Sequence, residues 1–295
     1  MENTVSKKTS SKTKRRSPAA QVFRRLMKNK SSFIAFIFIC LLVIASVCAG
    51  LIFDPDLVYT QNAMEAKQPP SAEHIFGTDI YGRDIFIRIL FGARTSLAIG
   101  VITILVATTI GLLLGSISAY YGGVVDEIIM RIMDVMLAIP ETLLAMCVVC
   151  VAGASPVSLI IALVLAIIPT RSRLVRSSVL GIVDREFIEA ARAAGMSDFR
   201  IIVTQILPNS IGPVIVVSTQ GVANMMLTAA GLSYMGLGIQ PPSPEWGAII
   251  AAAREYLRLH PYMCVIPGVV LAVTALAFNL LGDGLRDALD PRLKD

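Results

Sequence analysis

The sequence predicts an all-α integral membrane protein with about six transmembrane helices. Three observations predict it: 55% of the 295 residues are hydrophobic and only 16% charged, mean hydropathy is +0.71, and apolar runs of about 20 residues recur along the chain. A soluble domain carries nearer ~25% charged residues. Each run is long enough to cross a hydrocarbon core of ~30 Å as a helix, the only open-ended element whose backbone polar groups are all satisfied internally.

Residues 1–31 form a basic tail with Lys7, Lys8, Lys12, Lys14, Arg15, Arg16, Arg24, Arg25, Lys28 and Lys30, too long and too basic before its apolar run for a cleaved signal. The predicted spans are Ser32–Phe53, Ser96–Tyr120, Arg131–Ala152, Pro156–Thr170, Ile211–Ala230 and Tyr262–Leu281. The fourth is short, and its helix is expected to continue past Thr170, with Arg171 and Arg173 snorkelling to the headgroups. With the amino terminus inside, twenty of the 26 Lys and Arg fall on inner segments and six on outer ones. The positive-inside rule then places both termini in the cytoplasm of a cell membrane. Three regions follow: the tail 1–31, a first helix with its extracytoplasmic loop over 32–90, and a core over 91–295 carrying a cytosolic loop at 171–210.

In the outer segment 54–95, Ile85, Ile87, Ile89, Leu90 and Phe91 beside Arg83, Arg88 and Arg94 predict a short amphipathic helix at the outer interface. In the second outer segment, Gly231-Leu-Ser-Tyr-Met-Gly-Leu-Gly-Ile-Gln-Pro-Pro predicts a broken, protein-packed turn. Trp246, the only tryptophan, is expected as an interfacial anchor. The five cysteines lie in or beside apolar runs, where a thiol behaves as a small hydrophobe. The Cys147/Cys150 C-x-x-C has no second pair or His nearby, and His74 and His260 have no companion ligands, so no metal site is predicted.

The cytosolic loop is far longer than a turn requires. Within Asp184–Gly195, Phe187, Ala190, Ala191 and Ala194 recur at i, i+3, i+4 and i+7, one face of a short helix. Small side chains on that face admit a close partner, while Arg185, Glu186, Glu189 and Arg192 flank it. Gly195 is placed just past the helix end, Ser197 as the next N-cap with Asp198 in its first turn, and Pro208 at the approach to the fifth span. That span carries Gln220, Asn224 and Thr228 as a polar stripe. Its two readings, a translocation path or interhelical hydrogen bonding, weigh equally. Glu141 follows Pro140 inside the third span, where an unpaired carboxylate costs roughly 2.5–3.5 kcal/mol. The proline is expected to break the helix there and let Glu141 line the cavity. Gly111 and Gly115 form a G-x-x-x-G whose neighbour the sequence does not name. No G-x-x-x-x-G-K-[ST] phosphate loop occurs, so nucleotide must act through partners.

Glu189-Ala-Ala, then Gly195, then Ile206-Leu207-Pro208 resembles the EAA loop of ABC importer permeases; Gln205 stands where that pattern places an apolar residue. His74–Asp84, Gly92-Ala-Arg-Thr-Ser-Leu97, Gly231–Gly238 and Asn279–Arg292 are similar to the second permease subunit of dipeptide and oligopeptide importers, over roughly Ser32–Arg292. The resemblance implies a type I importer transmembrane domain whose Arg185–Gly195 helix, with Leu207 and Pro208, couples to an ATPase. It implies a homologous second permease, two ATP-binding subunits carrying ATP and Mg, an extracytoplasmic peptide-binding protein, and no cofactor or catalysis on this chain. Nickel chelates and glutathione are alternative substrates of the same machinery. An ion-coupled secondary transporter is the rival class; it favours internal repeats, and none is found. The basic charge sits in a membrane-proximal tail with little aromatic interleaving, so nucleic acid is not a predicted partner.

Overall fold

In the computed structural model, residues 18–289 are described; the first seventeen, most of the basic tail, and the last six lie outside them. The described residues form helices and loops without a β-sheet. A short α1 (Pro18–Leu26) packs on the last helix and leads into α2 (Lys30–Ile52), whose N-terminus is capped by Asn29, its Oδ1 accepting from the Ser31 amide at 3.2 Å. The helix α2 is peripheral. Ser32, one of its few buried residues, donates from Oγ to the Leu280 carbonyl at 3.0 Å.

Helix α3 (Ile85–Tyr121) is 37 residues long, or about 55 Å at 1.5 Å per residue, well beyond a ~30 Å core. Its first ten residues belong to the segment predicted as a separate interfacial helix, and that expectation is corrected. Asp84 caps the helix, and Arg83 and Arg88 are buried rather than spread at an interface, because the Asp79 carboxylate takes both, at 2.7 and 3.2 Å. Local counter-charge removes the reason for them to reach water. Only Arg94 reaches outward, donating to the Val47 carbonyl of α2 at 2.9 Å.

After two left-handed glycines, Gly122 and Gly123, α4 (Gly123–Leu137) and α5 (Glu141–Ala152) follow, bent by 84° about the break before Pro140. The expected proline break is present, and Arg131 sits within α4 rather than at its edge. Helix α6 (Pro156–Leu180) is capped by Ser155 and does run past Thr170. The expected snorkelling of Arg171 is not found. Arg171 is 3% exposed, and Arg173 and Arg176 turn to Asp134 and Asp126 of α4.

The loop contains α7 (Glu186–Ala193), α8 (Asp198–Ile201) and a π-helical turn (Ile202–Ile206) that runs directly into α9 (Leu207–Tyr234). The turn expected from Gly231 onward begins only after Tyr234. Helix α10 (Trp246–Ala253) and α11 (Tyr262–Leu289) complete the described residues. Trp246 is fully buried, with Nε1 donating to the Ile89 carbonyl at 2.9 Å; it is a core residue, not an interfacial anchor. Buried Glu245 caps α10, accepting from the Gly247 and Ala248 amides at 2.9 and 2.8 Å.

Five helical runs are long and apolar enough to cross a membrane, and the α4–α5 pair makes a sixth if counted as one broken span. The core lies where α3, α6, α9 and α11 meet. Gly111 and Gly115 face α6: an added Cβ would lie 2.8 Å from the Arg171 Cβ and 2.5 Å from the Ser172 carbonyl oxygen. The small-residue motif thus lets α3 and α6 approach closely.

Candidate functional site

The residues that the sequence singles out gather at two places in the fold. The first is the segment around α7. Glu186 and Glu189 occupy its first turn and Arg192 its last, both favourable with the helix dipole. Its end is a Schellman motif: the Met196 amide donates to the Ala191 carbonyl at 3.1 Å and the Gly195 amide to that of Arg192 at 2.9 Å. Gly195 has φ +76° with nothing within 4 Å of an added Cβ. Glycine is needed there for its backbone, not for space. Ser197 occupies the N-cap position but makes no side-chain cap; Asp198 instead accepts from the Tyr120 hydroxyl at 2.7 Å, and the Arg192 guanidinium lies 4.9 Å from the Tyr120 ring centroid.

The predicted face splits. Phe187, Ala190 and Ala194 are exposed, but Ala191 is buried and turned inward. The inward stripe is Ile188 with Ala191, and Ile188 joins Val175, Val179, Val183, Ile201, Ile206 and Val214 in a small second core. Both stripes satisfy helical spacing, and periodicity alone could not say which packs on its own chain. Arg185 is the N-cap residue, its Nε donating to the Gly181 carbonyl at 3.3 Å. Leu207 is half-buried and Pro208 exposed. Phe199, 77% exposed beside this face, was not singled out in the sequence, where one aromatic in an amphipathic stretch reads as core.

The second site is a cavity of about 480 Å³ between α5, α6 and α9. All four path candidates, Glu141, Gln220, Asn224 and Thr228, line it. Glu141 opens α5 directly after the break. Gln220 and Val217 also line a neighbouring cavity of about 580 Å³ that extends to Asn209 and Arg286. Gln220 donates from Nε2 to Asp283 Oδ1 of α11 at 2.9 Å, so it serves one interhelical hydrogen bond as well as the cavity wall. Thr228 donates to the Asn224 carbonyl one turn back at 2.9 Å. The residue missed was Arg171, taken as a headgroup-seeking side chain because it neighbours the predicted end of a span. Among the described residues no cluster of His, Cys, Asp and Glu could hold a metal ion.

A multi-pass bundle with a structured loop and a polar cavity along its interior defines a membrane transport component. The chain belongs to the family of binding-protein-dependent transport system inner membrane components, which matches residues 107–295; residues 17–70 match the N-terminal transmembrane domain of oligopeptide transport permease C. It is 43% identical to the dipeptide transport system permease protein DppC of Alkalihalophilus pseudofirmus, over 94% of this chain and 91% of that protein. It is 40% identical to the glutathione transport system permease protein GsiD of Pectobacterium atrosepticum, over 95% and 93%. A structure of the MetNI methionine ABC transporter in inward-facing conformations shares the fold, with a TM-score of 0.58 at 18% identity over 69% of this chain and 96% of that one.

Proposed function

We propose that this chain is one of two permease subunits of an ATP-driven importer that moves di- and oligopeptides handed over by an extracytoplasmic binding protein. The observation that carries the reading is the α7 segment: a short helix braced on its own small core through Ile188 and Ala191, with Phe187, Ala190 and Ala194 left open. A connector needs neither a separate core nor a Schellman end. An apolar, small-residue face rimmed by Arg185, Glu186 and Glu189 fits a groove on an ATP-binding partner, which supplies the ATP and Mg. Closure of two such partners displaces α7, and the bundle exchanges one packing for another. Leu207 and Pro208 then stand at the joint where the segment enters α9.

In this reading α7 and both termini are cytoplasmic, and Glu141, Gln220, Asn224 and Thr228 line the path. The dipeptide permease relative favours peptides; glutathione, itself a small peptide with free carboxylates, is the second substrate, favoured by the relatives named for it. The test is purification from native membranes with a tag on this chain, followed by uptake of labelled dipeptide, oligopeptide and glutathione in proteoliposomes. Two ATP-binding proteins and a second permease should copurify, and uptake should require ATP. Isolation without any ATP-binding protein, or uptake driven by an ion gradient alone, refutes the proposal.

A further inference from the structure

Arg171 is the most deeply buried charge on the cavity wall. It is 3% exposed, and its Nε and Nη1 have no hydrogen-bond partner. The other deeply buried arginines, Arg83 and Arg88, share the Asp79 carboxylate; Arg171 forms no ion pair among the described residues. Removing a guanidinium from water without a counter-ion costs several kcal/mol, so such a group calls for a reason. Space for it is held open on two sides. An added Cβ at Gly111 would meet its stem at 2.8 Å, and one at Gly221 would overlap Nη2 of its head.

Twelve residues line the cavity, and only two are charged, Arg171 and Glu141. The two lie within each other's field but form no ion pair, so neither charge is taken up by a direct contact and both remain to be partnered. Thr142, Thr170, Gln220, Asn224 and Thr228 supply neutral hydrogen-bonding groups on the same wall. The volume of about 480 Å³ lies within the ~300–1,000 Å³ of small-molecule sites. A wall with one positive and one negative group, separated and otherwise neutral, complements a zwitterion.

We propose that Arg171 and Glu141 form a transit station for a zwitterionic peptide, with the Arg171 guanidinium receiving the terminal carboxylate and Glu141 the terminal ammonium. A planar guanidinium takes a carboxylate through two parallel hydrogen bonds, one of them always from Nη2. Nη2 of Arg171 lies against Gly221 of the cavity wall, and either companion in such a pair, Nε or Nη1, is unpartnered. The ligand supplies the missing counter-charge while it passes, and the cavity's open side lets it leave. The inference rests on the peptide-import reading and adds to it that the permease itself reads the charged ends of its cargo.

The test uses the complete transporter, with its partner permease, ATP-binding subunits and binding protein, in proteoliposomes. Uptake is compared for one labelled dipeptide, its C-terminal amide and its N-acetyl form, at concentrations giving equal occupancy of the binding protein. Wild type should favour the free carboxylate over the amide at least tenfold. Arg171→Gln should bring that ratio to about one while leaving the preference against the N-acetyl form, and Glu141→Gln should do the reverse. Equal ratios in wild type and Arg171→Gln overturn the station. Should that variant fail to assemble, wild type alone decides, because equal uptake of amide and free peptide also overturns it. Wild type that imports no peptide in any form refutes the underlying import reading instead.

Discussion

Replacing Gly195 separates two properties that a glycine can confer, a left-handed backbone and an absent side chain. At φ +76° with open space around the Cβ position, Gly195→Ala meets no atom and incurs only the left-handed penalty of about 1–2 kcal/mol. That shifts the balance between the closed Schellman end and its frayed form by roughly 5- to 30-fold. Asparagine tolerates the same conformation, so Gly195→Asn should leave the end closed while adding bulk at the tip of α7. Hydrogen exchange of the Met196 amide, which bonds to the Ala191 carbonyl, reads the first effect in the purified chain. ATP-dependent uptake by the assembled transporter reads the second. The expectation is faster exchange in the alanine variant, near-native exchange in the asparagine variant, and reduced uptake in both. If the alanine variant exchanges at the native rate, the backbone argument is wrong; if the asparagine variant transports normally, nothing docks against the end of α7.

Ile188→Ala removes a fully buried side chain from the small second core and should cost about 2–5 kcal/mol locally, read as protease sensitivity of the loop while the spans stay folded. Ala191→Leu should act in the same way, by crowding that core, whereas Ala190→Leu on the open face should spare protease resistance and lose the ATP-binding partner on copurification. Gly115→Leu forces α3 away from the Ser172 backbone and should abolish monodisperse protein in size-exclusion chromatography. Asn224→Leu should lower peptide uptake several-fold without changing assembly, and unchanged uptake would remove α9 from the path.

Legibility followed the range of the forces involved. Hydropathy is a local sum, so the spans and the break at Pro140 could be read directly, and the length of the loop between α6 and α9 already implied helical structure beyond a simple turn. Gly195 was readable because a helix end is also local. Pairings were not. Nothing in the apolar pattern of residues 85–94 says that Asp79 will draw Arg83 and Arg88 inward, turning an interfacial segment into the first turns of α3. Trp246 likewise reads as an anchor until Ile89 supplies an acceptor for its indole. Ile188 and Phe187 are adjacent, and only the position of α6 and α8 decides which is core. The four cavity-lining residues illustrate the opposite case: Gln220, Asn224 and Thr228 share one helix face, which the sequence spacing shows, and Glu141 joins them because the 84° bend carries the start of α5 to the same cavity.

The two sites are joined by one helix. Val175 and Val179 of α6 belong to the core that braces α7, while Arg171, one turn further from the loop, lines the cavity. Between them Arg176 bonds Asp126 of α4 at 2.6 Å, and Gly111 and Gly115 of α3 press on the same stretch. From Val179 to Arg171 is about 12 Å of continuous helix at 1.5 Å per residue. A displacement of α7 therefore has a stiff route to the buried guanidinium, and packed interfaces of this kind switch between discrete arrangements rather than deforming gradually. Breaking the α4 tie isolates that route: Asp126→Asn should weaken coupling, seen as fewer peptides moved per ATP hydrolysed, with the ATP-binding subunits still attached. Exchanging the charges, Asp126→Arg with Arg176→Asp, should recover part of the loss. If the single change leaves the stoichiometry at the wild-type value, α6 does not act against α4 when it moves, and the lever must run through α3 or α9 instead.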